Sequence, residues 1–265
     1  MTVVALPQAV PQAPRGGIGR RLILLGGVAL LSLGILSAPG EGMEPLRFLT
    51  AAICALQADR QITLGGMTLP LCFRCTGIYL GVASSLGYLT LVRRGRWGWP
   101  RPLALALLAG FILMVGVDGL NSLAGDLHVP TAYAPQNGLR LTTGLLAGIA
   151  LGVSVFGLTR LFLGGPAPGA GPLRAGDIAA MLAIAAPGVI GIIIPAGPLA
   201  YLIGLASALG VVAALTCINR WMVELFPAMA ARWLPSSDLR WMLAVLLALT
   251  ELAALSTLRM VVAPI

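Results

Sequence analysis

Two thiols and a guanidinium fall within four positions, at Cys72, Arg74 and Cys75, and a third thiol, Cys54, lies upstream. Cys72 and Cys75 are three residues apart, so a helix start here would put both sulfurs on one face, where the helix dipole and Arg74 favour a thiolate. Several chemistries suit such a group. In an oxidising compartment Cys54 could form a disulfide with one member of the pair. The three cysteines could instead hold a metal ion such as zinc, with His128, the only histidine, as fourth ligand. Cys72 or Cys75 could also act as a redox pair or a nucleophile. The plain alternative is buried thiols that only pack, which is the reading adopted for Cys217.

A second set of polar residues carries charge into apolar sequence. Asp118 and Asn121 sit late in one apolar run, and Asn137 and Arg140 sit early in the next. An isolated charge within a membrane span costs about 2.5–3.5 kcal/mol, so Asp118 and Arg140 are expected to pair. Asn137 and Arg140, three apart, share a helix face. The pair either orients two helices or lines a pocket in which Arg140 binds an anion and Asp118 moves a proton. Glu251, in the middle of the last apolar run, must face the bundle interior, water or a subunit interface.

The elements that would position these residues are membrane helices. Of the 265 residues, 58% are hydrophobic and only 10% charged, with mean hydropathy +0.95. A soluble domain carries about 25% charged residues. The reading is an all-α, polytopic transmembrane bundle of about seven spans, at 22–38, 71–92, 102–123, 137–162, 178–194, 199–218 and 241–258. A signal peptide is the alternative for the first, with Ala38 at its cleavage site. Residues 1–20 read as a disordered cytoplasmic tail, 21–162 as an N-terminal membrane region with the Cys motif and four spans, and 163–265 as a C-terminal region with three. Residues 48–58, too short to cross, are expected as an interfacial helix carrying Cys54. Gly65-Gly66 marks a tight turn, and 221–240 reads as a cytoplasmic segment.

The net charge is +8 and all 17 basic residues are Arg. With a cytoplasmic N-terminus, twelve of them fall inside and five outside, the bias expected of a multi-pass protein of the cell (inner) membrane. The arginines lie between apolar runs, so nucleic acid is not expected as a partner; the bilayer is. In this topology Cys54, Arg60, Cys72, Arg74, Cys75, Asp118, Asn121, Asn137 and Arg140 gather near the outer surface. Small residues repeat every four positions at Gly77, Gly81 and Ser85, and again at Gly144, Gly148 and Gly152. Such faces let helices approach closely, or offer contacts for membrane partners. Spans two and four are therefore expected to pack together.

These residues resemble the signature of an uncharacterised prokaryotic family of integral membrane proteins, domain of unknown function 2085. Cys54, Arg60, Cys72, Arg74, Cys75, Thr76, Gly77, Tyr79 and Gly81 match its first part. Asp118, Asn137, Arg140, Thr143 and Gly144 match its second. The family's His and Gln after the first Cys are Ala55 and Leu56 here, and its Ser after the Arg is Gln61. The resemblance, over about 50–155, implies a membrane protein but no reaction. Three functions stay open: a binding or assembly role with a structural disulfide or a metal site; a small-anion or proton-coupled transporter; and a membrane enzyme with a Cys nucleophile. No phosphate-binding Gly loop or His-rich metal motif supports the enzyme.

Overall fold

Where long apolar runs cross a bilayer, only internal hydrogen bonding satisfies the backbone, so the runs form helices. The computed structural model describes residues 17–36, 43–163, 165, 171–194, 197–227 and 232–262. Most of the expected N-terminal tail, and Ala38, lie outside them. The helices are α1 (Gly17–Leu36), α2 (Glu44–Ala51), α3 (Phe73–Gly87), α4 (Pro102–Asp126), α5 (Asn137–Phe162), α6 (Ala175–Ile193), α7 (Ala200–Glu224) and α8 (Ser237–Val262). A π-helical turn, Tyr88–Val92, extends α3. Six of these helices, α3 to α8, are long and apolar enough to cross a membrane, and α1 adds a shorter apolar stretch, Arg21–Leu33. The chain is an all-α membrane bundle consistent with about seven spans.

Two expected boundaries move. The interfacial helix ends at Ala51, so Cys54 lies in the turn after α2 and not on a helix. The stop has a cause on α8: Ser256 Oγ accepts from Ala52 N–H at 3.0 Å, and the Arg259 guanidinium takes the carbonyls of Ala51, Cys54 and Ala55. Guanidinium donors thus replace the helical partners these carbonyls would otherwise need. At the other boundary α7 runs past the expected end of its span at Ile218 to Glu224, so that Trp221, expected to open the cytoplasmic segment, lies on the same helix. Arg220 pairs with Glu224 one turn on, Arg240 reaches the same carboxylate, and Trp221 Nε1 donates to Thr159 Oγ1 at 2.7 Å.

A short hairpin joins α2 to α3. Strands β1 (Gln61–Leu64) and β2 (Met67–Cys72) pair antiparallel about Gly65-Gly66. Both glycines have positive φ, 57° and 80°, the requirement of the tight turn that suits strand twist. Ile62, Leu64, Leu69 and Leu71 are buried, and Thr50 Oγ1 donates to the Pro70 carbonyl at 2.8 Å. The hairpin is thereby fixed on α2 and delivers Cys72 to the start of α3.

Helix α3 is the centre of the bundle, packed against α5, α6 and α7. Its contact with α5 is backbone on backbone. A Cβ at Gly77 would stand 2.3 Å from the Leu141 carbonyl oxygen, and one at Gly148 would stand 1.9 Å from that of Ile78. On the third side, a Cβ at Gly210 of α7 would meet the Tyr79 carbonyl oxygen at 2.1 Å. The two small-residue ladders therefore face each other, as close helix approach requires. At one end of the bundle Arg93 pairs with Asp177 and Pro100 bridges Leu173. At the other, Arg60 pairs with Asp126 and Arg259 holds the turn after α2. The thiols belong to this second end.

Candidate functional site

Three segments bring the thiols together. Cys54 comes from the turn that Arg259 and Ser256 hold, Cys72 is the N-cap of α3 at the end of β2, and Cys75 stands in the first turn of α3. Their three sulfurs lie within 4.8 Å of one another. All four cysteines of the chain are free thiols. Cys54 is 1% exposed, among Leu49, Leu56, Leu71, Leu249 and Leu252. The Cys72 N–H points at Cys54 Sγ, 3.4 Å away. Thr76 fixes the approach from below, its hydroxyl donating to the Leu71 carbonyl at 3.1 Å.

The sulfurs are not equivalent. The Cys72 thiol is pulled down, first by hydrogen bonding from Cys54 and then from Cys75, with the N–H groups of Cys75 and Arg74 adding to this against the effect of burial. The Cys54 thiol is pushed up, chiefly by its hydrogen bond to Cys72. Three sulfurs gathered at a helix N-terminus are a soft, electron-rich donor set.

His128 is not in this group. It sits exposed in the loop after α4 with φ 57°. Cys217 is also apart, on α7 beside Thr216. Glu251 is exposed, and its Oε2 accepts from Asn219 Nδ2 at 3.0 Å.

The charge pairing differs from expectation. Asp118 is held by Arg74 and not by Arg140. From the first turn of α3 the Arg74 guanidinium reaches across to α4, to Asp118 and also to Ser122 Oγ, at 2.9 Å. Tyr133 Oη donates to Asp118 Oδ1 at 3.1 Å, and Thr143 Oγ1 lies 3.4 Å from Oδ2. The carboxylate is 1% exposed, and Arg74 and Tyr133 donate to its two oxygens. Burial, and then the bond to Asp118, push the Tyr133 phenol above its usual range.

Arg140 instead donates to Asn137 Oδ1 at 2.9 Å. It is 6% exposed, and its Nε has no partner among the described residues. Asn137 also donates to the Asp59 carbonyl at 3.2 Å, and Arg60 pairs with Asp126 and Asp59. Asn121 ties down the loop after α4: it donates to the Tyr133 carbonyl at 2.9 Å and accepts from Ala132 N–H at 2.8 Å. The expected residues thus separate into a thiol group and a charged group, with Arg74 and Cys75 adjacent in the chain at their boundary. Arg259, Ser256, Ser122 and Tyr133 complete the site and were not singled out in the sequence. Arg259, a lone charge in the last turn of an apolar run, is the one with a visible signal.

Long apolar helices with polar groups gathered at one end define a multi-pass helical membrane protein. The chain belongs to the family described as predicted membrane protein (DUF2085), whose profile matches residues 54–154. An uncharacterized protein of Methanothermobacter thermautotrophicus is 33% identical over 114 residues, 42% of this chain and 91% of that relative. No solved structure matches the chain. The matched stretch holds the three clustered thiols, Arg74, Asp118 and Arg140; Arg259 and Ser256 lie beyond it.

Proposed function

We propose that this membrane protein binds a thiophilic metal ion, zinc in the first instance, through Cys54, Cys72 and Cys75. The observation that carries the reading is the convergence of three sulfurs, from a turn, a strand end and a helix start, within 4.8 Å. Zinc–sulfur bonds of about 2.3 Å in a tetrahedron place sulfurs about 3.8 Å apart, so a small inward shift closes the group on an ion. The fourth position stays open to water or a small ligand. The Cys72 N–H···Sγ contact and the α3 N-terminus offset the negative charge that three thiolates bring. Ser256 and Arg259 act one shell out, by fixing the turn that carries Cys54.

The test is elemental analysis of the intact protein, purified under reductant and exposed to zinc at micromolar concentration. About one zinc ion per chain is expected, with Cys54→Ser, Cys72→Ser and Cys75→Ser each losing it and Cys217→Ser retaining it. Loading is expected to weaken as pH falls, because protons compete with the metal for thiolates. Zinc retained in all three cluster variants would overturn the assignment, as would protein whose thiols label only after reduction and which takes up no zinc.

A further inference from the structure

At the arginine-rich end of the bundle, far along α3 from the thiols, a cavity of about 880 Å³ opens between α3, α5, α7 and α8. Most of its wall is apolar, including Leu86, Phe156 and Val245, and Leu209 at 57% exposure opens it sideways toward lipid. Two polar side chains of the wall are unsatisfied. Arg160 Nε and Thr216 Oγ1 are buried without a hydrogen-bond partner among the described residues, and Thr216 as a whole is 8% exposed. Native proteins pair almost all such atoms, so two orphaned atoms lining one cavity call for a ligand.

The charge balance says which kind. Among the described residues the carboxylates at this end are already engaged: Asp177 by Arg93, Glu224 by Arg220 and Arg240, and Asp238 by Arg21. Arg160 has no carboxylate partner among the described residues. Gly95, which also lines the cavity, stands between Arg94 and Arg96, both exposed and outside any ion pair among the described residues. The site is therefore an oily slot with an uncompensated cationic rim. A soluble anion would leave the apolar wall wet, and a lipid without net negative charge would leave the cationic rim of Arg94, Arg96 and Arg160 uncompensated.

The geometry points to an anionic phospholipid, its acyl chain in the cavity and its phosphate on Arg160 and the Thr216 hydroxyl. Juxtamembrane arginines attract acidic lipid, and the apolar wall adds chain burial to that attraction. The full chain, delipidated in detergent, is titrated with phosphatidylglycerol and with phosphatidylcholine of the same acyl chains, and bound lipid is counted by native mass spectrometry. Phosphatidylglycerol is expected to bind about fivefold tighter or more. Arg160→Gln removes that preference, and Arg21→Gln, at the same end but outside the cavity, keeps it. Equal binding of the two lipids by the unaltered protein overturns the proposal without any variant. So does an equal loss in Arg160→Gln and Arg21→Gln, which would mean surface charge alone. Ala213→Phe, which fills the slot from α7, must expel the lipid from folded protein; retention there also overturns it.

Discussion

Arg74→Gln is expected to cost about 3–5 kcal/mol of unfolding free energy, the penalty of leaving a buried charge without its partner. Asp118 is 1% exposed, and the Arg74 guanidinium is its cation. The hydroxyls of Tyr133 and Thr143 remain beside the carboxylate but bring no positive charge. Asp118→Asn is expected to suffer less, because an amide needs no cation. The double variant should recover much of the loss of Arg74→Gln, giving a coupling energy within the range of about 0.5–3 kcal/mol found for contacting residues. Reversible unfolding of the four proteins in mixed micelles measures this. A loss in Arg74→Gln of under about 1 kcal/mol would place the pair with exposed salt bridges. A double variant as unstable as the sum of the singles would show that the two residues act separately.

Gly148→Ala has the second large effect, and its sign is the informative part. On an exposed helix face the same exchange stabilises by about 0.5–1 kcal/mol, since glycine loses more backbone freedom on folding. Gly110 of α4, where an added Cβ meets nothing within 4 Å, is expected to behave that way. At Gly148 the Cβ would stand 1.9 Å from the Ile78 oxygen and 2.7 Å from its carbonyl carbon, both backbone atoms with no rotamer to change. Helices α3 and α5 must then separate, at a cost of about 3 kcal/mol or more, the upper end of overpacking. Because Cys75 rides on α3 while Cys54 is held from α8, the same shift should spread the sulfurs. Gly148→Ala is thus expected to lose zinc as well as stability, and Gly110→Ala to keep both. Matching stability in the two variants would contradict the packing account.

The apolar runs show the helices plainly, because length and lack of charge leave the backbone few choices. The glycine ladders, at a spacing of four, mark which faces of α3 and α5 meet. The three clustered cysteines stand out by their spacing. The Arg74–Asp118 pair did not, since Arg60, Arg74 and Arg140 all gather at one end of the bundle and sequence carries no record of how far each helix is rotated. Asp118 goes to Arg74, and Arg140 is left to Asn137. Gly65-Gly66 marked a turn, but four- and six-residue strands between membrane helices are too short to declare themselves. Arg259 caps carbonyls some 200 residues away, a contact that no local pattern announces.

Whether three sulfurs share one ion is tested most directly by X-ray absorption at the zinc edge of the loaded, intact protein. The expected spectrum has about three sulfur neighbours at about 2.3 Å and one lighter atom in the open position. Loss of one sulfur from that shell in Cys54→Ser would tie the turn after α2 to the metal. A shell of nitrogen and oxygen alone, unchanged by any of the cluster substitutions, would contradict the assignment of Cys54, Cys72 and Cys75 as ligands.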